Sequence, residues 1–408
     1  MKARDRRLRP QIVLLEPRFL LSSASALEPS ADEQYMLQLV NRARANPQAE
    51  GTRLANLARS DPSLRVAIGE AGILAFLQEI QTHAPVAPLA FNPRLIASSR
   101  LHDAQMLAAN SQFHSDLFSL VQPSQSTNAP DGLPYFPVGN ASWSAAENVF
   151  AYSGNLSDPH GKPLVDYFHA GFLLDWGNPN FGHLRNLLNP GPSGTAPGGY
   201  PLSEVGIGIL TDVPPTSAPS GPAAIAGNQG LNVGPALVTQ QFAWRSGHQF
   251  LTGAIFSDGD GDHFYTPGEG LGGVLIQAVG RHGEGTFTTT AWGSGGYSLD
   301  LPSGVYDVAA SGGGLANARS ITVTIGADNV GWDVMAAAAA PPTPAVAVPP
   351  SHLQTSSPNA QKNTATTLPA TIPTKKQLAA SLMQRRRRLA RLRLAMKNER
   401  IARSFSER

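Results

Sequence analysis

The chain has no cysteine, which excludes a disulfide framework and any thiolate-bound metal centre. Export stays open, because a chain of 408 residues can be stable without crosslinks. Charge is also scarce, at 15% of residues. No run of about 18 apolar residues occurs, so no transmembrane helix is expected. What is abundant is a 41% hydrophobic content, enough for real cores, together with 40 Gly and 34 Pro. That texture suits loop-rich and β-rich exported chains. The length exceeds what one core usually organises and points to two domains plus tails.

The net charge of +2 conceals a partition. Residues 375–408 hold twelve Lys/Arg against Glu399 and Glu407, and residues 1–23 hold six against Asp5 and Glu16. The body between them is therefore near −12 and unsuited to nucleic acid, so any polyanion affinity belongs to the ends. Near the N-terminus, Lys2, Arg4, Arg6, Arg7 and Arg9 precede an apolar stretch broken by Glu16, Pro17 and Arg18. This is a poor match to an ordinary signal peptide. The string Leu15 to Ser23 (LEPRFLLSS) resembles the LEPR-xLL segment of bacterial exported and surface proteins, which implies a secreted or cell-surface location.

Ser30 and Glu33 form an S-x-x-E capping box before a helical-period stretch that Pro47 ends. Residues 51–88 read as a variable, partly helical insertion. Asn92 and Pro93 suit the N-cap and first turn of a second helix, with Ala97, Leu101, Ala104 and Ala108 as its buried stripe. Residues 117–142 and 212–236 read as loops, and a third helix is expected over Leu164–Trp176. Strands are expected at Glu204–Leu210 and Leu237–Trp244. From Phe250 the runs FLTGAIF, GGVLIQAV, GTFTTTAW, YSLDL, VYDVAAS and ARSITVTI read as a β-sandwich. The boundaries are a basic leader over 1–29, a first domain over 30–247 and a sandwich over 248–335. A Pro/Ala/Thr-rich linker over 336–374 and a basic tail over 375–408 follow. Leader, linker and tail read as disordered.

Four segments carry the chemistry: FHSD at His114, AENVF at Glu147, the stretch His169–Asp175, and FGHLRNLL at His183. Histidines and carboxylates can converge to bind a metal or relay protons, although any one histidine can instead be structural. In order and spacing, MLQLVNRARANP, LAFNPRLIASSRLHDAQMLAANSQFHSD, AENVF, GHLRNLLNP and EVGIGI resemble the CAP superfamily of cysteine-rich secretory, antigen 5 and pathogenesis-related 1 proteins. The resemblance spans roughly residues 30–245. It implies an α+β fold, a three-layer α-β-α sandwich with a central cleft, in which His114, Glu147 and His183 match the family's cleft residues. Ala146 stands where that family has Gly. For the second acidic residue the resemblance favours Asp175, with His169 as an auxiliary and Asp166 and Glu204 as alternatives. Asn148, Arg185 and Asn186 read as structural, Asn148 fixing a turn and Asn186 capping a helix end.

Two imidazoles and one or two carboxylates suit a zinc-like divalent metal. Such a site could serve an unidentified ligand without turnover. Alternatively, with Glu147 as general base, it could hydrolyse a peptide or ester. A structural surface protein with a vestigial cleft is the third reading. In the second domain, Asp258, Asp260, Asp262 and Glu269 occupy positions 1, 3, 5 and 12 of a calcium-type loop, with His263 where position 6 normally has Gly. With GEGLGGVLIQAV and GGYSLDLPSGVYDV, this segment resembles the B-type repeats of bacterial surface adhesins. That resemblance implies an all-β prealbumin-like sandwich with calcium, used as a spacer. In the tail, Leu378, Leu382, Leu389, Leu392 and Met396 recur among arginines. A helix there would be basic and amphipathic, suited to anionic lipid, nucleic acid or an anionic surface polymer.

Overall fold

The computed structural model describes residues 27–115, 143–152, 162–175, 177–178, 180–189, 201–211, 233 and 236–336. The expected export segment (apart from residues 27–29), loop 117–142, most of the linker and the basic tail lie outside these residues.

Helix α1 (Ala31–Ala45) starts at the expected capping box, with Ser30 Oγ accepting from Glu33 N at 3.2 Å and Glu33 Oε2 accepting from Ser30 N at 2.6 Å. It stops before Pro47, but that proline also opens α2 (Pro47–Ser60), whose N-cap Asn46 accepts from Ala49 N. Proline fits there because the first helical N–H has no intrahelical partner. Helix α3 (Pro62–Ile80) is kinked at Gly69, which sits at φ 70°. The stretch expected as a partly helical insertion is thus largely two helices, and Leu54, Ala58, Ile73, Phe76 and Ile80 are buried in the core.

The first sheet runs in the order β1 (Ala90–Phe91), β3 (Glu204–Leu210), β4 (Ala236–Arg245), β2 (Trp143–Tyr152). Only the β1–β3 pair is parallel. Between β1 and β2, α4 (Pro93–Ala109) is capped by Asn92, whose Oδ1 accepts from Arg94 N at 3.0 Å. After β2 come α5 (Lys162–Leu174) and the short α6 (Gly182–Leu187).

Strand β3 shows how helices come to cover both faces. Val205 and Ile207 join the core formed with α1 and α5. Gly206 and Gly208 lie under α4, where a Cβ on Gly206 would sit 1.9 Å from the Leu95 carbonyl carbon. The strand's period of two sends a side chain to one helix layer and leaves bare backbone for the other. Helix α4 does not bury the expected stripe. Ala97 is buried, but Leu101, Ala104 and Ala108 are exposed, and the covered face carries Leu95, Ile96, Ser98, Ser99, His102, Asp103 and Met106. The close approach favours small groups, and Ser99 Oγ donates to Gly206 O at 3.0 Å.

All six expected strands after Phe250 form. Antiparallel β10 (Arg319–Ile325), β9 (Gly304–Gly312), β6 (Val274–Gly280) and β7 (Thr286–Thr290) make one sheet. The other centres on β5 (Phe250–Ser257), flanked by β8 (Gly296–Asp300) on one side and by β11 (Val330–Gly331) and β12 (Val334–Ala336) on the other. Leu251 and Ile255 of β5 pack with Val274, Ile276, Tyr306 and Val308 in a sandwich-like core. Ala254 and Phe256, of opposite parity, join the core of the first region.

Residues 30–247 and 248–335, expected as separate domains, therefore lie in one compact unit ending at 341. Asn329 ties them: its Nδ2 donates to Pro88 O and Ser203 O, and its Oδ1 accepts from Phe250 N. Ser298 Oγ donates to Phe91 O, and the Arg42 guanidinium lies 4.7 Å over the Phe264 ring. Among the described residues, no helix is long and apolar enough to cross a membrane.

Candidate functional site

Glu147 lies on β2 opposite Gln241 of β4, and Asn148 lies opposite Gln240. Alternation sends the two neighbours to opposite faces. On the α4 side, Asn110 turns the chain back in a left-handed conformation at φ 50°. His102 of α4 then holds the returning segment, its Nε2 2.9 Å from Phe113 O and its ring edge-on to Phe113. His114 and Ser115 follow directly.

Four hydrogen bonds converge on the Glu147 carboxylate. His114 Nδ1 is 2.9 Å from Oε1, and Ser115 N donates to the same oxygen at 2.8 Å. Ser115 Oγ and Gln241 Nε2, the latter at 3.0 Å, donate to Oε2. Burial acts to raise the Glu147 pKa, but the bonds from His114, Ser115 and Gln241 outweigh it and hold the group below the usual carboxylate range. His114 moves the other way: its bond to Glu147 raises its pKa against the opposing effect of burial. The Glu147 side chain is 1% exposed and that of His114 is 62% exposed.

His183 forms a second pair. Its Nδ1 is 2.7 Å from Asp175 Oδ1, and its backbone N–H donates to Asp175 Oδ2 at 3.0 Å, so one carboxylate orients the ring and caps α6. Phe172 packs edge-on against the imidazole at 5.4 Å. The two pairs are linked through β2. Asn186 Nδ2 donates to Glu147 O and Asn148 Oδ1, and Asn148 Nδ2 donates to His183 O and Gln240 Oε1. Asn148 thus fixes a strand–helix junction rather than a turn. Asn186 clamps α6 to β2 instead of capping a helix, and Arg185 donates to Glu79 at 2.8 Å.

His114, Glu147 and His183 do not form a single tight cluster. Among the described residues, the group of three or more carboxylates or imidazoles with ligand atoms within 4.8 Å of one another is Asp258, Asp260 and Asp262. His169 is not at either pair. It is fully buried against Glu50 at 2.9 Å, and Glu50 also takes Arg42 and Arg53. The alternatives for the second acidic residue are engaged elsewhere: Asp166 accepts from Tyr35 Oη, and Glu204 binds Arg245 and Asn92. Of the acidic candidates proposed alongside Glu147, it is Asp175 that meets a candidate histidine.

Sequence reasoning missed Ser115, Gln241, His102 and Asp103. The last is completely buried, with Oδ1 accepting from Thr239 Oγ1 at 2.6 Å and Oδ2 without a hydrogen-bond partner. Burial raises its pKa well above the ordinary value, and the charges of Glu33 and Glu147 add to that. The signal for these two α4 residues was a helical stripe of Leu95, Ser99, His102 and Met106, masked because it is partly polar.

In the Asp-rich loop, Asp258 accepts from Gly261 N and His263 N, and Asp262 Oδ1 from Phe264 N. His263 takes φ 58°, the left-handed conformation that Gly usually supplies at that position. Glu269 lies outside the aspartate trio and caps amides, with Oε1 accepting from Gly259 N and Oε2 from Thr266 N.

Searched against models of known protein families and against curated proteins, the chain matches none.

Proposed function

We propose that the chain is an exported or surface-associated CAP-type protein whose paired histidines bind a divalent metal or a ligand without turnover, carried beside a calcium-binding, prealbumin-like β-sandwich. The observation that carries this reading is the saturation of Glu147. Four donors and a lowered pKa make it a weak proton acceptor, which argues against general-base hydrolysis. The same contacts suit an orienting role. Each histidine commits Nδ1 to a carboxylate, and neither Nε2 has a hydrogen-bond partner among the described residues. A carboxylate behind Nδ1 is the usual support for an imidazole that ligates through its other nitrogen. The CAP assignment is supported by the capping box, by helices on both faces of the mixed sheet, and by Glu147 lying on a strand between the two histidine-bearing segments.

The test is zinc content after dialysis of the full chain, alongside its His114→Ala and His183→Ala variants. Zinc held by the parent and lost in both variants supports ligation by the two histidines. Because ligation requires a neutral imidazole, retention should fail on acidification at a higher pH than for an ordinary histidine, following the raised His114 pKa. Zinc retained equally by parent and both variants would remove these histidines from the site.

A further inference from the structure

A separate cavity of about 300 Å³ opens where the first region meets the loop before β11. Its wall includes Arg44, Pro85, Pro88, Ser203, Trp244 and Asp328. Arg44, near the end of α1, is 2% exposed. Its guanidinium donates to the carbonyls of Ala87, Leu187 and Leu202 at 2.7, 2.7 and 3.1 Å. Those three bonds engage three of the five N–H groups a guanidinium offers. Among the described residues no carboxylate pairs with it directly, which is an expensive way to bury a cation.

Two further wall groups make no side-chain hydrogen bond among the described residues. Ser203 Oγ is buried without a hydrogen bond. Asp328, on the exposed side of the cavity, makes no hydrogen bond or ion pair among the described residues. Burial draws the Arg44 pKa down to about 9, and the Asp328 charge acts in the opposite sense. Arg44 and Asp328 thus line one cavity without forming an ion pair. Proline and indole surfaces supply an apolar wall, and the volume is at the small end of the range for ligand pockets.

We propose that this cavity binds a small zwitterion, of the class of a free aliphatic amino acid, with its carboxylate toward Arg44 and Ser203 and its ammonium toward Asp328. Such a ligand brings each wall charge its complement, and its apolar body faces the prolines and Trp244. The proposal does not depend on the CAP reading, because none of these residues belongs to either histidine pair.

The test uses isothermal titration of the full chain with leucine, with 4-methylpentanoate, which lacks the ammonium, and with 3-methylbutylamine, which lacks the carboxylate. Leucine should bind at least tenfold more tightly than either analogue. Asp328→Asn should reduce leucine to the level of 4-methylpentanoate while leaving that analogue unchanged. Ser203→Ala should weaken both carboxylate-bearing probes. Neither substitution removes a hydrogen bond or ion pair among the described residues, so the fold should survive, and a circular-dichroism melt checks this. No heat with any probe, equal affinity for all three, or leucine binding unaltered by Asp328→Asn would overturn the proposal.

Discussion

Asp103 is a carboxyl kept against its charge. It is buried, bonded at one oxygen to Thr239 and without a partner at the other, and its folded pKa is raised. The unfolded chain therefore gives up this proton first as pH rises above about 3.9. Over that window the unfolded state binds fewer protons, so stability falls with pH. Asp103→Asn keeps an oxygen acceptor for Thr239 and cannot ionise. It should be more stable than the parent at pH 8, with the advantage shrinking toward pH 4, as measured by urea midpoints. An advantage independent of pH would mean that Asp103 does not carry this linkage. Individual residues of this kind were the least legible in the sequence. His114, Glu147, His183 and Asp175 were singled out by resemblance, but which carboxylate meets which histidine, and the part of Gln241, depend on strand register and on a turn that the motifs do not encode.

Local signals fared better at the scale of elements. Ser30/Glu33 and Asn92/Pro93 marked helix starts because a cap is written within three or four residues. Strand β2 left no alternating trace, because Ser144 through Val149 are all buried and polar groups face both sides. Close packing of β3 on α4 gives a sharp test. A methyl on Gly206 would meet backbone, not a yielding side chain, so Gly206→Ala should cost about 3 kcal/mol, at the upper end for overpacking, read from chemical denaturation. Unchanged stability would show that α4 can shift freely. The Asp loop gives a second test. Millimolar calcium, the range in which extracellular modules bind, should raise the melting temperature of the full chain by mass action. Asp260→Ala should abolish that rise, and a rise that persists would reduce the loop to a solvated turn.

For the whole molecule, composition and strand spacing announced helices followed by a sandwich, but not their shared interior. Ala254, Phe256 and Tyr265 complete a core begun by α1, because β5 is covered on both faces and its hydrophobic run does not say by what. Calorimetry on the full chain should therefore show one transition spanning both regions, with calorimetric and van't Hoff enthalpies in agreement. Two resolved transitions would mean that the common core couples them weakly.

Asn329 has a further consequence, in time rather than in space. It hydrogen-bonds to Pro88, 241 positions earlier, and to Ser203, 126 positions earlier, and β11 and β12, just beyond it, complete the sheet around β5. A ribosome making this chain has released most of the described residues before the segment that closes the interior emerges. Contacts of such separation form slowly, and until they do, one edge of β5 stays open to pairing with another chain. The described fold is thus completed by a strip of fewer than ten residues at its far end.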